Sequence, residues 1–335
     1  MKIAIVGATG LVGSNIIQLC EKNFNPEVEY TLFASKSSDG KKVTISNREY
    51  FVKELKKENI EAYDISLFSA GGERSKHYAK YFVNNGSFVI DNSSAFRMNE
   101  DVPLVVYGIN ENEITTSSKL ISNPNCTTMG LVMALKPLHD EYTLVSMTPV
   151  AYQAVSGSGS EAVQSLNNET LLGDKLDSNY KDTYYPKPIA RNVIPLAGNL
   201  TDNGYSDEEM KFVNESRKIL ALPNLIVEPS NARVGVRTGH GTFCSAVFEN
   251  EIDLKECSNL LNNFEGVEVW NDSLPTPIDV EGKNEVLISR LRQGLSSKNI
   301  LNFWVVSDNL LKGAALNAVQ IANFVEKLWL QHQAI

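Results

Sequence analysis

The sequence predicts an α/β chain: a doubly wound parallel sheet, then an α+β region on a mainly antiparallel sheet. Three observations predict it. Up to about Ile121, short apolar runs alternate with helix-length segments, as in parallel strands joined by crossover helices. A turn with three glycines stands directly after the first apolar run. Beyond Asn123 the strand-like runs become longer.

Lys2–Val6 is apolar after its first residue and reads as a buried strand. Leu11–Glu21 has helical spacing, and Glu29–Ala34 and Ile65–Ser69 read as further strands. A helix is expected over Arg74–Asn84 and a strand over Phe88–Ile90. The apolar stretch Thr127–Leu138 reads as a helix closed by Pro137. Strands are expected at Leu144–Val150, Ala232–Val236 and Thr242–Glu249. Asn167–Pro188 is polar and irregular, an excursion on the surface or at an interface between subunits. A helix from about Leu310 to Trp329 is expected to pack back on the first domain. The expected domains are 1–122, rejoined by 310–335, and 123–309.

Composition bounds the partners. The 335 residues are 42% hydrophobic, which excludes wholesale disorder, and at about 150 residues per domain they suggest two domains. The net charge of −9 argues against nucleic acid and anionic membranes. Four cysteines (Cys20, Cys126, Cys244 and Cys257) lack CxxC spacing, so neither a disulfide framework nor a zinc site is expected, and no metal. No apolar stretch reaches the about 18 residues of a membrane span, and glycines interrupt the N-terminal run before it resembles a signal peptide. The expectation is a soluble cytoplasmic protein.

Gly7-Ala8-Thr9-Gly10-Leu11-Val12-Gly13 joins the first strand to its helix. Glycines there permit a tight turn and bring backbone N–H groups and a helix N-terminus to a pyrophosphate, which favours a Rossmann-type first domain over a plain strand-to-helix turn. The second strand ends in Ala34 and continues Ser35-Lys36-Ser37-Ser38-Asp39-Gly40-Lys41-Lys42. Hydroxyls and lysines in place of a carboxylate favour NADP over NAD, although Asp39 weakens the charge argument and a plain solvated loop reads the same way.

Asn123-Pro124-Asn125-Cys126-Thr127-Thr128 precedes an apolar helix. A thiolate at a helix N-terminus is stabilised by the dipole, and nearby N–H groups with the Asn125 amide can hold an oxyanion. The alternative is a small buried cysteine, the reading that fits Cys20, Cys244 and Cys257. Of the four histidines, His77 and His139 lie in or after helices and His332 near the chain end, whereas His240 stands between two strands, flanked by Gly239 and Gly241. A histidine with such neighbours can reach a site and act as acid/base beside an activated thiol.

These pieces occur together in one family. On GATGLVG (7–13), SAGG (69–72), DNSSAFR (91–97), NPNCTT (123–128), YQAVSGSG (152–159), IPLAGN (194–199), EEMK (208–211), RVGVRTGH ending at His240, and DNLLKGAALNAVQIA (308–322), the chain resembles aspartate-β-semialdehyde dehydrogenase over nearly its whole length. The resemblance implies NADPH-dependent, reversible reduction of L-aspartyl-4-phosphate to the semialdehyde and inorganic phosphate. This step feeds lysine (through diaminopimelate), threonine and methionine synthesis in homodimers or homotetramers. It implies Cys126 as the thiol that forms the acyl-enzyme, His240 as acid/base and Gln153 as the group orienting the thioacyl intermediate. Arg97 and Lys211 would hold phosphate, Glu208 the substrate amine and Arg233 its α-carboxylate. Gly7, Thr9, Gly10, Leu11, Val12, Gly13, Ser37, Ser38, Ser156, Gly157 and Asn309 fall at cofactor positions.

The substrate needs cations for two anionic ends and an anion for its amine, and the four substrate residues supply that set. Glu208 and Lys211 also fit an ordinary i,i+3 surface pair behind a Ser206 cap, Arg97 a solvent-facing loop arginine, and Arg237 competes with Arg233. The chain departs from the family pattern at Ser37, where an arginine is usual. It departs again at Tyr107-Gly108-Ile109-Asn110, at Pro229-Ser230-Asn231-Ala232 and at Gly235. The nearest rivals are an N-acetyl-γ-glutamyl-phosphate reductase, whose substrate has no ammonium for Glu208, and a non-catalytic nucleotide-binding homologue.

Overall fold

The computed structural model describes the backbone of residues 1–333 and side chains through Leu330; His332's side chain and the final two residues of the expected segment 310–335 lie outside this description. The chain divides into two compact units, one of Met1–Asn125 with the C-terminal segment from Ala314, the other Cys126–Gly313.

The first unit is a parallel sheet. Its strands are β1 (Lys2–Val6), β2 (Glu29–Ala34), β5 (Lys53–Glu54), β6 (Ile65–Phe68), β7 (Phe88–Asp91) and β8 (Leu120–Ser122), with a separate hairpin of β3 (Lys42–Ile45) and β4 (Arg48–Phe51). The order is β5-β2-β1-β6-β7-β8, with every neighbour parallel. Strand order therefore reverses beside β1, which is where doubly wound sheets open a ligand crevice. Helices α1 (Leu11–Asn23) and α2 (Gly72–Asn84) follow β1 and β6. Beneath α2, Phe33, Phe68 and Phe82 meet edge to face, with Phe68 and Phe82 centroids 5.0 Å apart. The C-terminal helix Leu316–Gln333 packs against α1 and the sheet, after a π-helical turn over Leu311–Ala315.

The second unit opens with α3 (Cys126–Tyr142), which carries Pro137 inside it. The expected stop at Pro137 is overturned. Proline removes one N–H, but most of this helix is buried, and packing outweighs the local penalty. Next comes β9 (Leu144–Gln153) and α4 (Ser160–Leu171), so the first residues of the expected excursion are helical. Then follow β10 (Val193–Ile194), α5 (Asp207–Ile219), β11 (Ile226–Val227), β12 (Ser230–Val234), β13 (His240–Phe248), β14 (Val267–Val269), β15 (Val286–Gln293) and β16 (Ile300–Ser307). They form one mixed sheet, β10-β12-β9-β13-β16-β15-β14, whose long central strands are antiparallel and to which β11 adds beside β9. Helix α3 covers one face of this sheet.

Candidate active site

In the first unit the site begins with missing side chains. Gly7 has φ 90°, and its N–H and that of Ala8 donate to the Phe33 carbonyl at 2.8 and 3.0 Å. A Cβ at Gly7 would fall 2.1 Å from the Ser69 carbonyl oxygen, and one at Gly13 would fall 2.1 Å from that of Gly7. The loop thus lies tight against β6, as a glycine-free sequence could not. Helix α1 starts from Gly10, which offers no capping side chain, and no acidic residue occupies the first turn. Its N-terminal N–H groups therefore present a positive end to an anion. A cleft of about 220 Å³ opens there, lined by Thr9, Gly10, Ala34, Ser35, Ser69, Ala70 and Arg74 among others. Ser38 is buried and bonded to the Thr9 hydroxyl at 3.2 Å, while Ser37 is exposed and bonded to Ser35 at 2.9 Å. Arg74 is a cation that sequence reasoning missed. It sits 37 positions beyond Ser37 in sequence, and only the sheet, which sets the ends of β2 and β6 on either side of β1, makes it a cleft residue.

Arg97 is not a solvent-facing loop residue. It is 6% exposed, donating from Nε to the Asn123 carbonyl at 2.9 Å and from Nη2 to that of Asn92 at 2.8 Å. Those bonds fix its guanidinium at the C-terminal edge of β7 and β8.

In the second unit Cys126 is the first residue of α3 and is half-buried, where the helix dipole favours a thiolate. The other three cysteines sit in the core, where burial raises their thiol pKa values, that of Cys257 to about 11. One turn beyond Cys126, a Cβ at Gly130 would fall 2.8 Å from the Ser307 hydroxyl, and Ser307 pairs with His240 across β13 and β16. The thiol's helix is thus pressed onto the strand that carries the imidazole's partner.

Gln153, Arg233 and His240 meet where β9, β12 and β13 lie side by side. Gln153 faces Arg233 in register. The backbone of Ala154 holds the other two: its carbonyl accepts from Arg233 Nη1 at 2.8 Å, and its N–H donates to His240 Nδ1 at 3.0 Å. With Nδ1 accepting, the proton of the neutral imidazole rests on Nε2. Burial first, and then the Arg233 charge, lowers the His240 pKa to about 3, so the ring is neutral near pH 7. Three polar atoms here are buried without a hydrogen-bond partner: Gln153 Nε2, Arg233 Nε and His240 Nε2. Leaving one such group unsatisfied costs about 1–3 kcal/mol, so three converging ones mark a surface shaped for a polar ligand. A Cβ at Gly157 would fall 3.1 Å from His240 Nε2 and 3.2 Å from Arg233 Nη1, so glycine keeps that surface open.

Both halves of the chain match known family models. Residues 2–117 match the semialdehyde dehydrogenase NAD binding domain and residues 135–312 the semialdehyde dehydrogenase dimerisation domain. The chain is 41% identical to the aspartate-semialdehyde dehydrogenase of Aquifex aeolicus over 333 residues, spanning 97% of this chain and 98% of that one. It is likewise 41% identical to the Bacillus subtilis enzyme of that name over 340 residues, spanning 98% of each. The chain belongs to the aspartate-semialdehyde dehydrogenase family. Among solved structures, aspartate semialdehyde dehydrogenase II from Vibrio cholerae superposes with a TM-score of 0.93 at 35% identity, over 97% of this chain and 98% of that one. A second structure of that protein is described as complexed with ASA.

Expectations change at His240, Gly241 and Arg237. His240 is the first residue of β13, not a residue of the connection before it. Gly241 serves packing: a Cβ there would fall 2.0 Å from Trp304 Cη2. Strand β12 ends at Val234, so alternation does not carry on to Arg237, which is exposed while Arg233 is 5% exposed. Asn309 and Ser156, expected at cofactor positions, bond to each other at 2.9 Å, and the Asn309 carboxamide oxygen accepts from the Gly239 N–H, also at 2.9 Å, next to His240. Glu208 and Lys211 pair on α5 behind a Ser206–Glu209 capping box. Asn231, a departure from the family pattern, ties that cap to β12: its side chain donates to Ser206 at 3.1 Å and its N–H to Glu209 at 3.0 Å. A Cβ at Gly235, another departure, would fall 2.5 Å from the Ile189 carbonyl oxygen. Among the described residues no group of three or more His, Cys, Asp or Glu is arranged to hold a metal ion, and no helix is long and apolar enough to cross a membrane.

Proposed function

We propose that this enzyme reversibly reduces L-aspartyl-4-phosphate to L-aspartate-4-semialdehyde and inorganic phosphate, using NADPH. The observation that carries this reading is the trio of unpartnered buried atoms on Gln153, Arg233 and His240, in the same unit as a thiol at a helix start. The close relatives named aspartate-semialdehyde dehydrogenase support it.

The cofactor fits the first unit. Gly7, Gly10 and Gly13 give the pyrophosphate access to backbone, with Thr9 in the turn and Leu11 and Val12 opening α1, and Ser37, Ser38 and Arg74 take the 2′-phosphate. Ser156, Gly157 and Asn309 are further cofactor-binding residues in this reading. When bound, NADPH supplies the hydride that reduces the acyl-enzyme.

The chain's own residues do the rest. The Cys126 thiolate attacks the acyl carbon; a carbon–sulfur bond forms, the carbon–oxygen bond to phosphate breaks, and Arg97 and Lys211 receive the phosphate. Gln153 Nε2 donates to the thioacyl oxygen and orients the carbonyl. His240 enters neutral, and its Nε2–H donates a hydrogen bond to the oxygen as negative charge develops there. Arg233 holds the α-carboxylate and Glu208 the ammonium. The thiolate is restored as the semialdehyde departs.

The enzyme works as a homodimer in the cytoplasm. The half-exposed rings of Tyr152, Phe243 and Trp304 on one face of the second sheet, with Phe243 and Trp304 centroids 4.7 Å apart, support a partner there. Four cysteines outside any disulfide suit a reducing compartment. The deciding experiment is phosphate-dependent reduction of NADP with L-aspartate-4-semialdehyde, against N-acetylglutamate semialdehyde and against NAD. Turnover of the acetylated aldehyde alone, or no phosphate dependence, would overturn the assignment.

A further inference from the structure

The excursion between α4 and β10 is anchored from beneath. Glu169, 1% exposed, accepts the N–H groups of Ile189 and Ala190 at 2.6 and 2.8 Å and the Ser165 hydroxyl at 2.9 Å. Ser165 in turn accepts the Tyr184 N–H at 3.0 Å. Ile189 and Ala190 pack with Val155, Ala162 and Leu166, and the Ile189 carbonyl lies where Gly235 has no Cβ, two residues beyond Arg233. This frame delivers Tyr185. Its hydroxyl donates to Ser158 at 2.9 Å, and its ring centroid lies 5.8 Å from the Arg233 guanidinium carbon.

Arg233 is therefore held twice, by Ala154 at Nη1 and by an aromatic face, while its buried Nε has no partner. A guanidinium against an aromatic ring loses rotational freedom and keeps its charge, which preorganises its edge for a carboxylate. We propose that Tyr185, carried by the Glu169-anchored excursion, is a positioning residue that selects substrates bearing an α-carboxylate, by fixing the edge that Arg233 presents to that group. The inference deepens the proposed function and rests on its assignment of Arg233.

The test compares L-aspartate semialdehyde with 3-aminopropanal, which lacks only the carboxylate. Tyr185→Ala should raise KM for the first about tenfold with kcat within about twofold, and Tyr185→Phe, which keeps the ring, should rescue it. With 3-aminopropanal, wild type and Tyr185→Ala should have equal kcat/KM. An unchanged KM for the natural aldehyde, or equal losses with both aldehydes, would overturn the proposal. If Tyr185→Ala does not fold, Glu169→Gln must show the same selective rise. Should the wild-type enzyme turn over neither aldehyde, the fault lies with the proposed function. Arginine-selective labelling by phenylglyoxal, mapped to Arg233, then decides: faster labelling in Tyr185→Ala supports the covering ring, and an equal rate refutes it.

Discussion

The glycine turn after β1 and the strand-end cluster around Ala154 are built by opposite means. At the turn the chain removes side chains: Gly7 and Gly13 leave no room for a Cβ, and Gly10 withholds a cap from α1. At the cluster it assembles side chains, with Arg233 and His240 held 79 and 86 positions away from the single residue that positions both. The backbone device is written in local sequence, because the strand, turn and helix that build it are contiguous, and Phe33 of β2 and Ser69 just after β6 only pack against it. A side-chain device exists only once β9, β12 and β13 are paired.

Damage to the two regions should therefore separate chemistry from cofactor binding. The largest effect is expected for Cys126→Ser. Turnover in the phosphate-dependent assay should fall by about 10⁴-fold or more, while NADPH binding by fluorescence titration stays as in wild type. His240→Gln should cost about 10²–10⁴ in kcat, again with the cofactor bound normally. Gly7→Ala strikes the other region. The φ of 90° and the clash with Ser69 should weaken NADPH binding by about tenfold or more and lower Tm by several degrees. Labelling of Cys126 in the absence of cofactor should be unaffected. Arg74→Ala should raise KM for NADP about three- to tenfold and leave NAD unchanged, which separates a 2′-phosphate contact from general damage to the cleft.

The smallest effect is one of pH. His240 has its folded pKa lowered from 6.5 to about 3. Below 6.5 the unfolded chain takes up a proton that the folded chain refuses. The stability tied to this ring is thus complete above 6.5 and is lost progressively as pH falls towards 3. In His240→Gln that share of the loss disappears, so its Tm should fall less steeply between about pH 6 and pH 4 than that of wild type. Parallel curves would mean that the imidazole is solvated in the folded enzyme.

Much of this site was legible in the residue string, and the legible parts share a cause. The turn at 7–13, the cysteine ahead of an apolar run and the Ser206 cap are each specified by neighbours a few positions apart, so spacing alone exposes them. The misreadings share the opposite cause. Pro137 stays inside α3 because burial of the helix outweighs a missing N–H. His240 opens a strand whose neighbouring Gly241 makes room for Trp304, a residue more than sixty positions on. Arg237 left the site because β12 ends three residues before it.

The alternation of strands and helices in the first domain, the glycine turn, the thiol at a helix start and the family pattern follow from the sequence by itself, because each depends on local propensity or on motifs that lie unbroken along the chain. Only the tertiary structure decided which arginine is buried beside the imidazole, which nitrogen of that imidazole carries the proton, that Arg74 lines the cleft at the glycine turn and that Tyr185 lies against Arg233. Those properties depend on burial and on hydrogen bonds between distant segments, and both arise only when the sheet is paired.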